Sequence, residues 1–149
     1  MVSVKIDDLD KQIIKLLSRD GRMSFTEIAQ RLNVTEKTIR ARYNNLIEKK
    51  ILEVVGIVNP ISLGVKVGSI IQIKVLPTKL MNIVEQLKAK KEIRYITLTS
   101  GDYQLLIQIN LKDYDELTKV VKELMNMDGI IGTNVMMQMD VYKNTFDYI

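Results

Sequence analysis

The segment from Ser24 to Lys50 constrains the fold most, because one short span carries two helix starts, a turn residue and two apolar stripes. Ser24 and Glu27 make an S-x-x-E capping box, in which each side chain can satisfy an orphan backbone N–H at a helix start. A helix is therefore predicted from about Phe25. Phe25, Ile28, Ala29 and Leu32 recur at i, i+3, i+4 and i+7, so they share one face that must be buried. Ala29 is small where a second helix has to approach. Asn33 tolerates the left-handed backbone of a sharp inter-helix turn, Val34 can plug the corner, and Thr35 caps the next helix.

In that second helix Ile39, Tyr43, Leu46 and Ile47 form the apolar stripe, leaving Glu36, Lys37, Thr38, Arg40, Ala41, Arg42, Asn44 and Asn45 on or near the solvent side. Residues 35–50 hold five basic side chains (Lys37, Arg40, Arg42, Lys49, Lys50) against two acidic ones, a local balance of +3. Arg, Lys, Thr and Asn are the donors and acceptors that suit phosphates and base edges. A plain solvated face is the bland alternative. The order of cap, small residue, turn and basic helix favours a helix-turn-helix that enters the major groove. The expected DNA-binding residues are Thr35, Lys37, Thr38, Arg40, Arg42, Asn44 and Lys49, with Arg40 and Arg42 the principal readers and Lys50 a further phosphate neighbour.

The overall charge of +4 matters less than its distribution. Residues 1–56 carry 11 Lys+Arg and 8 Asp+Glu, a balance of +3, whereas residues 57–149 carry 11 and 10, a balance of +1. No histidine or cysteine occurs, so the usual zinc ligands, the commonest general base and a disulfide framework are missing; no metal, cofactor or catalytic residue is expected. No apolar run approaches the roughly 20 residues of a membrane span, and the first residues lack a secretory core. Cytoplasmic residence is the expectation.

Upstream, Asp7 can cap a helix with Leu9, Ile13, Leu16 and Leu17 inward, and Asp8 and Asp10 suit its positive end. Residues 51–60 are β-branched up to Pro60 and predict a short strand leaving the helical domain. Beyond it the apolar period shortens from about 3.6 to 2. Ile71, Ile73 and Val75 alternate with polar neighbours; Pro77 and Thr78 open a helix; Tyr95–Thr99 and Leu105–Ile109 flank the turn Ser100-Gly101-Asp102-Tyr103. Asp113 and Glu116 start a further helix ended by Gly129, and Val135–Tyr142 supply a final strand. The predicted class is α+β: a winged-type helix-turn-helix domain at 1–56, a linker strand at 57–66 and a ferredoxin-like βαββαβ domain at 67–149.

One sheet face should remain open, carrying Ile70, Gln72, Ile96, Leu106, Gln108, Met136 and Gln138, or the opposite alternating set. Both sets read as largely apolar, which predicts an obligate dimer joined sheet to sheet. The eight methionines read as adaptable packing.

Taken together, Leu9-Asp10 with Ile13, Leu16 and Leu17, Asp20-Gly21-Arg22, the Ile28-Ala29 to Leu46 helix pair, Asn59-Pro60 and Ser100-Gly101-Asp102-Tyr103 resemble the Lrp/AsnC (feast/famine) family of transcriptional regulators. The resemblance spans nearly the whole chain. It implies sequence-specific binding to double-stranded promoter DNA, a homodimer that assembles into larger rings, and a small effector, commonly an amino acid. It also implies an effector site between dimers at Gly101, Asp102, Tyr103 and Thr133. The chain departs from the family pattern at Gln104, where a second acid is common, at Val135, where a second threonine would fall, and at Lys50, which replaces a glycine. An amino-acid-sensing module without DNA binding is the competing reading. RNA binding lacks the stacking aromatics on a central strand, and no nucleophile–base–orienter cluster points to an enzyme.

Overall fold

The computed structural model describes residues 6–143; the expected domain limits at 1 and 149 lie outside the described residues. Each helix of the first unit starts where a side chain takes up a free N–H of its first turn. Helix α1, Asp8–Arg19, is capped by Asp7, whose Oδ1 accepts from the Asp10 N–H at 2.9 Å while Asp10 Oδ2 accepts from the Asp7 N–H at 3.3 Å. Helix α2, Phe25–Leu32, starts from Ser24, whose Oγ accepts from the Glu27 N–H at 3.1 Å. The expected box there is half closed, because Glu27 turns to Arg31 at 2.7 Å instead. Helix α3, Glu36–Glu48, starts from Thr35 in the same way.

Between α2 and α3, Asn33 takes the left-handed conformation, φ 53°, and the Val34 N–H returns to the Ala29 carbonyl at 3.0 Å. That turn lets α2 and α3 close on α1 around Ile13, Leu17, Ile28, Ala29, Ile39 and Leu46. Ile47, expected in the stripe, is exposed because Leu46 takes the inward position.

The end of α3 is strained. Lys50 sits at φ 54° while its N–H reaches the Ile47 carbonyl and the Ile51 N–H reaches the Leu46 carbonyl, each at 2.9 Å. This is a Schellman closure with lysine at the position that favours glycine. The left-handed penalty for a residue with a Cβ, about 1–2 kcal/mol, exceeds the extra unfolded-state entropy of glycine, about 0.5–1 kcal/mol. Lys50→Gly is therefore expected to stabilise the helical unit by roughly 1 kcal/mol, read as a rise of several degrees in thermal melting. An unchanged or lowered melting point would contradict the strain.

By their contacts residues 6–57 belong to one unit and residues 58–142 to another. The strand expected over residues 51–60 is not formed. Those residues run without regular structure, and Val54, Val55, Ile57 and Val58 are exposed. β-branched side chains favour a strand only where another strand supplies hydrogen bonds, and no strand pairs with this segment among the described residues.

The second unit follows the order β1 (Val67–Val75), α4 (Leu80–Lys88), β2 (Ile93–Leu98), β3 (Leu105–Leu111), α5 (Tyr114–Met125) and β4 (Ile130–Met137). The strands form one antiparallel sheet in the order β2-β3-β1-β4, a ferredoxin-like arrangement. Ile71, Ile73, Ile107 and Ile109 face the helices and pack with Ile83, Leu87, Leu117 and Leu124. Gly129, at φ 100°, lets the chain enter β4; a Cβ there would stand 2.6 Å from Lys79 Cβ.

Three sheet expectations are corrected. The last strand starts at Ile130, not Val135, because pairing with β1 carries it through Gly132 and Asn134, residues of low strand preference. Ile96 lies opposite Ile107 and packs into the core, because the pairing of Leu98 with Leu105 across the turn fixes its face; the register shift between Ile93 and Tyr95 lies beyond it and brings Ile93 opposite Ile109 as well. That open face is also less apolar than expected. Ile70, Leu106 and Met136 share it with Gln72, Gln108 and Asn134, and Asn134 Nδ2 donates to Gln72 Oε1 at 2.9 Å while Gln108 Nε2 donates to Gln138 Oε1 at 3.2 Å.

Candidate functional site

The outward stripe of α3 follows from its buried one. With Ile39 and Leu46 fixed in the core, Lys37, Arg40, Ala41, Asn44 and Glu48 are exposed at i, i+3, i+4, i+7 and i+11, along one side of the helix. Lys37 makes no ion pair among the described residues. Thr35 and Thr38 are held together, their hydroxyls 2.9 Å apart at the helix start, and Lys49 is exposed just beyond its end.

Arg42 is directed elsewhere. Two residues along a helix turn about 200°, so Arg40 and Arg42 cannot share a face. Arg42 Nη1 donates to Asp7 Oδ2 at 2.6 Å and approaches Asp10 Oδ1 at 3.3 Å, tying α3 to the capped start of α1. Arg42, expected as a principal base reader, is held in this structure as a clamp between helices. Asp10, in the first turn at the positive end of the α1 dipole as expected, is buried at 3% exposure beneath this arginine.

The Asp10 N–H bond and then the Arg42 guanidinium hold the Asp7 carboxyl below its ordinary value, and Asp7 in turn holds Arg42 more firmly charged. A carboxylate with a depressed folded-state value contributes stability above the ordinary value of 3.8, and loses it as pH falls through the lower folded value. The helical unit should therefore lose stability below about pH 4, and Asp7→Asn should flatten that acid limb in melts across pH. An equally steep limb in Asp7→Asn would contradict the assignment.

Arg40 is exposed yet restrained. Its Nη2 donates to Glu36 Oε1 at 2.8 Å, Thr26 Oγ1 donates to Glu36 Oε2 at 2.8 Å, and its Cζ lies 5.0 Å from the centre of the Phe25 ring. The Thr26 hydroxyl, followed by Arg40, lowers the Glu36 carboxyl from its ordinary value. Glu36 and Thr26 were not among the expected site residues. The i,i+4 spacing of Glu36 and Arg40 could have signalled the pair, whereas the Thr26 contact depends on how α2 meets α3.

The second candidate region is the turn between β2 and β3. Gly101 adopts φ 107° and, with Asp102, is exposed; Tyr103 is half-buried. The turn is closed by Thr99, whose N–H donates to the Gln104 carbonyl at 2.8 Å and whose Oγ1 donates to the Tyr103 carbonyl at 2.6 Å. Gln104 has a role inside the chain. Its Oε1 accepts from the Val75 N–H at 3.1 Å, and its Nε2 donates to the carbonyls of Gly101 and Asp102 at 3.4 and 3.3 Å. An ionised carboxylate, having no donor, could not make the last two bonds.

Thr133 lies on β4 opposite Ile73, which lies opposite Leu105 at the start of β3. Two strand spacings, about 10 Å, thus separate Thr133 from the strand that follows the turn. Within one chain the structure does not bring it against Gly101, Asp102 and Tyr103. Val135 faces the core opposite Ile71.

Comparisons with known proteins bear on both regions. Residues 6–47 match the AsnC-type helix-turn-helix domain, and residues 69–148 match the Lrp/AsnC ligand binding domain. The chain is 33% identical to an uncharacterized HTH-type transcriptional regulator of Pyrococcus horikoshii, over 94% of this chain and 90% of that protein. It is 35% identical to the HTH-type transcriptional regulator LrpA of the same organism, over 84% of this chain and 90% of LrpA. Among solved structures, Escherichia coli AsnC superposes with a TM-score of 0.88 at 24% identity, covering 95% of this chain and 97% of that one. A transcriptional regulator of Neisseria meningitidis in complex with L-Met has the same fold, with a TM-score of 0.88 at 16% identity, covering 95% of each chain.

Proposed function

Because the chain belongs to the Lrp/AsnC family and is a DNA-binding transcriptional regulator, not an enzyme, we propose that it reads promoter DNA with α3, as a homodimer. In this reading Arg40 and Asn44 address base edges. Lys37 and Lys49 neutralise phosphates, and Thr35 and Thr38 approach the backbone at the helix start. The observation that carries it is the outward stripe of Lys37, Arg40, Ala41 and Asn44, whose small central residue permits close approach to a groove.

Dimerisation is proposed through the open sheet face. Ile70, Leu106 and Met136 would lose exposed apolar area there, and the two amide pairs would fix the register. Larger rings follow from the family in the same reading, and cytoplasmic residence accords with the absence, among the described residues, of a helix long and apolar enough to cross a membrane.

For the effector, the regulator from Neisseria meningitidis solved with L-Met makes an amino acid the first ligand class to test. Asp102 would pair with an ammonium group, the backbone N–H groups near Gly101 would receive a carboxylate, Tyr103 would wall the side chain, and Thr133 would come from a neighbouring copy.

Selection of bound duplexes from a random library tests the dimer and its reading helix together. An inverted repeat with half-sites about one helical turn, or 34 Å, apart is expected. A single asymmetric site would contradict paired reading. Repeating the selection with each amino acid present, L-Met included, should weaken or strengthen enrichment with one of them; calorimetry showing no heat with any would remove the effector assignment.

A further inference from the structure

An arginine on a recognition helix can act in two ways. Left free it is a mobile positive charge that takes any phosphate, whereas held in one plane it becomes a directional pair of donors. Arg40 is held from two sides: Glu36 engages Nη2 at 2.8 Å, and the Phe25 ring lies under the guanidinium at 5.0 Å. Both restraints are themselves fixed. The second oxygen of Glu36 is anchored by Thr26 at 2.8 Å, and Phe25 packs against Tyr43 with ring centres 5.0 Å apart. An exposed i,i+4 ion pair alone is weak and readily exchanged. This one is supported by α2, which supplies Thr26 and Phe25, while α3 supplies Glu36 and Arg40. Among the described residues Arg40 Nη1 and Nε donate to no protein group, and Glu36 takes one of the two Nη2 hydrogens, so the other Nη2 hydrogen and its free neighbour leave one bidentate edge of the guanidinium open.

We infer that Glu36 is a specificity-determining positioning residue: with Thr26 and Phe25 it cancels the free charge of Arg40 and aims its open edge at a base, guanine by its paired O6 and N7 acceptors. A carboxylate at the start of a DNA-reading helix is otherwise a liability, since it meets phosphates with like charge. Here that repulsion serves discrimination. The pair Glu36–Arg40 contributes no net charge toward the phosphates of arbitrary DNA, and is favoured only where the guanidinium finds two acceptors. The inference rests on the proposed reading of DNA by α3, in particular by Arg40.

The test compares the wild-type chain with Glu36→Gln, Thr26→Val and Arg40→Ala, each first shown to melt as the wild type does. The probes are the duplex that the wild-type chain enriches from a random library, and a mixed-sequence duplex lacking it, each titrated over a range of salt. Glu36→Gln keeps a group for Thr26 but frees the charge of Arg40. It should bind the mixed-sequence duplex more tightly, with a salt slope steeper by about 0.9 for each recognition helix engaged. Its preference for the enriched duplex should fall about tenfold, within the range of one bidentate base contact. Thr26→Val should move both quantities in the same direction by less, which guards against a fault particular to Glu36→Gln.

If Arg40→Ala loses preference but Glu36→Gln and Thr26→Val keep the wild-type slope and preference, the positioning role is overturned while reading by Arg40 stands. If Arg40→Ala itself keeps the wild-type preference, Arg40 is no reader and both fall.

Discussion

Arg42→Ala is expected to lower the melting temperature of the helical unit by on the order of 10 °C, a larger effect than removal of any exposed cation on α3. The reason lies in what remains. Asp10 is 3% exposed, and its carboxylate lies beside the Asp7 carboxylate with Arg42 between them as the shared counter-charge. Removing the guanidinium leaves two like charges at one capped helix start, one of them cut off from water. Adding Asp10→Asn to Arg42→Ala should recover part of the loss, because the uncompensated charge goes with it. Melts of the single and double variants decide this. No recovery would mean that Arg42 acts by the packing of its stem.

Lys37→Ala and Arg40→Ala should weaken DNA binding in different ways. Lys37 is exposed without an ion pair among the described residues, so its loss should weaken binding to every duplex alike and reduce the salt slope by about 0.9 per helix. Arg40→Ala should instead cost roughly 10–100-fold on the preferred duplex, and relax selection at one symmetry-related pair of positions. Binding isotherms over salt, with selection of sites by each variant, separate the two. An equal, sequence-independent loss from both would place Arg40 among the phosphate contacts.

These contrasting fates of neighbouring arginines show where the sequence was legible. The caps at Asp7, Ser24, Thr35 and Asp113 depend on residues three apart, and each accepts the backbone N–H expected of it. The order βαββαβ was legible because alternation and helical spacing are local patterns. The partner of Arg42 was not, since Asp7 and Asp10 lie more than thirty residues away and meet it only when α1 packs on α3. The face taken by Ile96 depends on which residues pair across the turn, Leu98 with Leu105, which alternation alone does not fix, and the start of β4 depends on pairing that overrides Gly132 and Asn134. At the second site Gln104 read as a departure from the family pattern, yet three bonds give it a place within the turn and β1.

Entry of the outward side of α3 into the groove can be mapped directly by tethered cleavage. The chain has no cysteine, so one introduced by Glu48→Cys, at the exposed end of the stripe, can carry a tethered DNA-cleaving group uniquely, with Lys15→Cys on α1 as the comparison. Strong cuts are expected from Glu48→Cys in two clusters on the selected duplex, about 34 Å apart as two paired recognition helices require, and weak or absent cuts from Lys15→Cys. Strong cutting from Lys15→Cys with none from Glu48→Cys would contradict entry by α3.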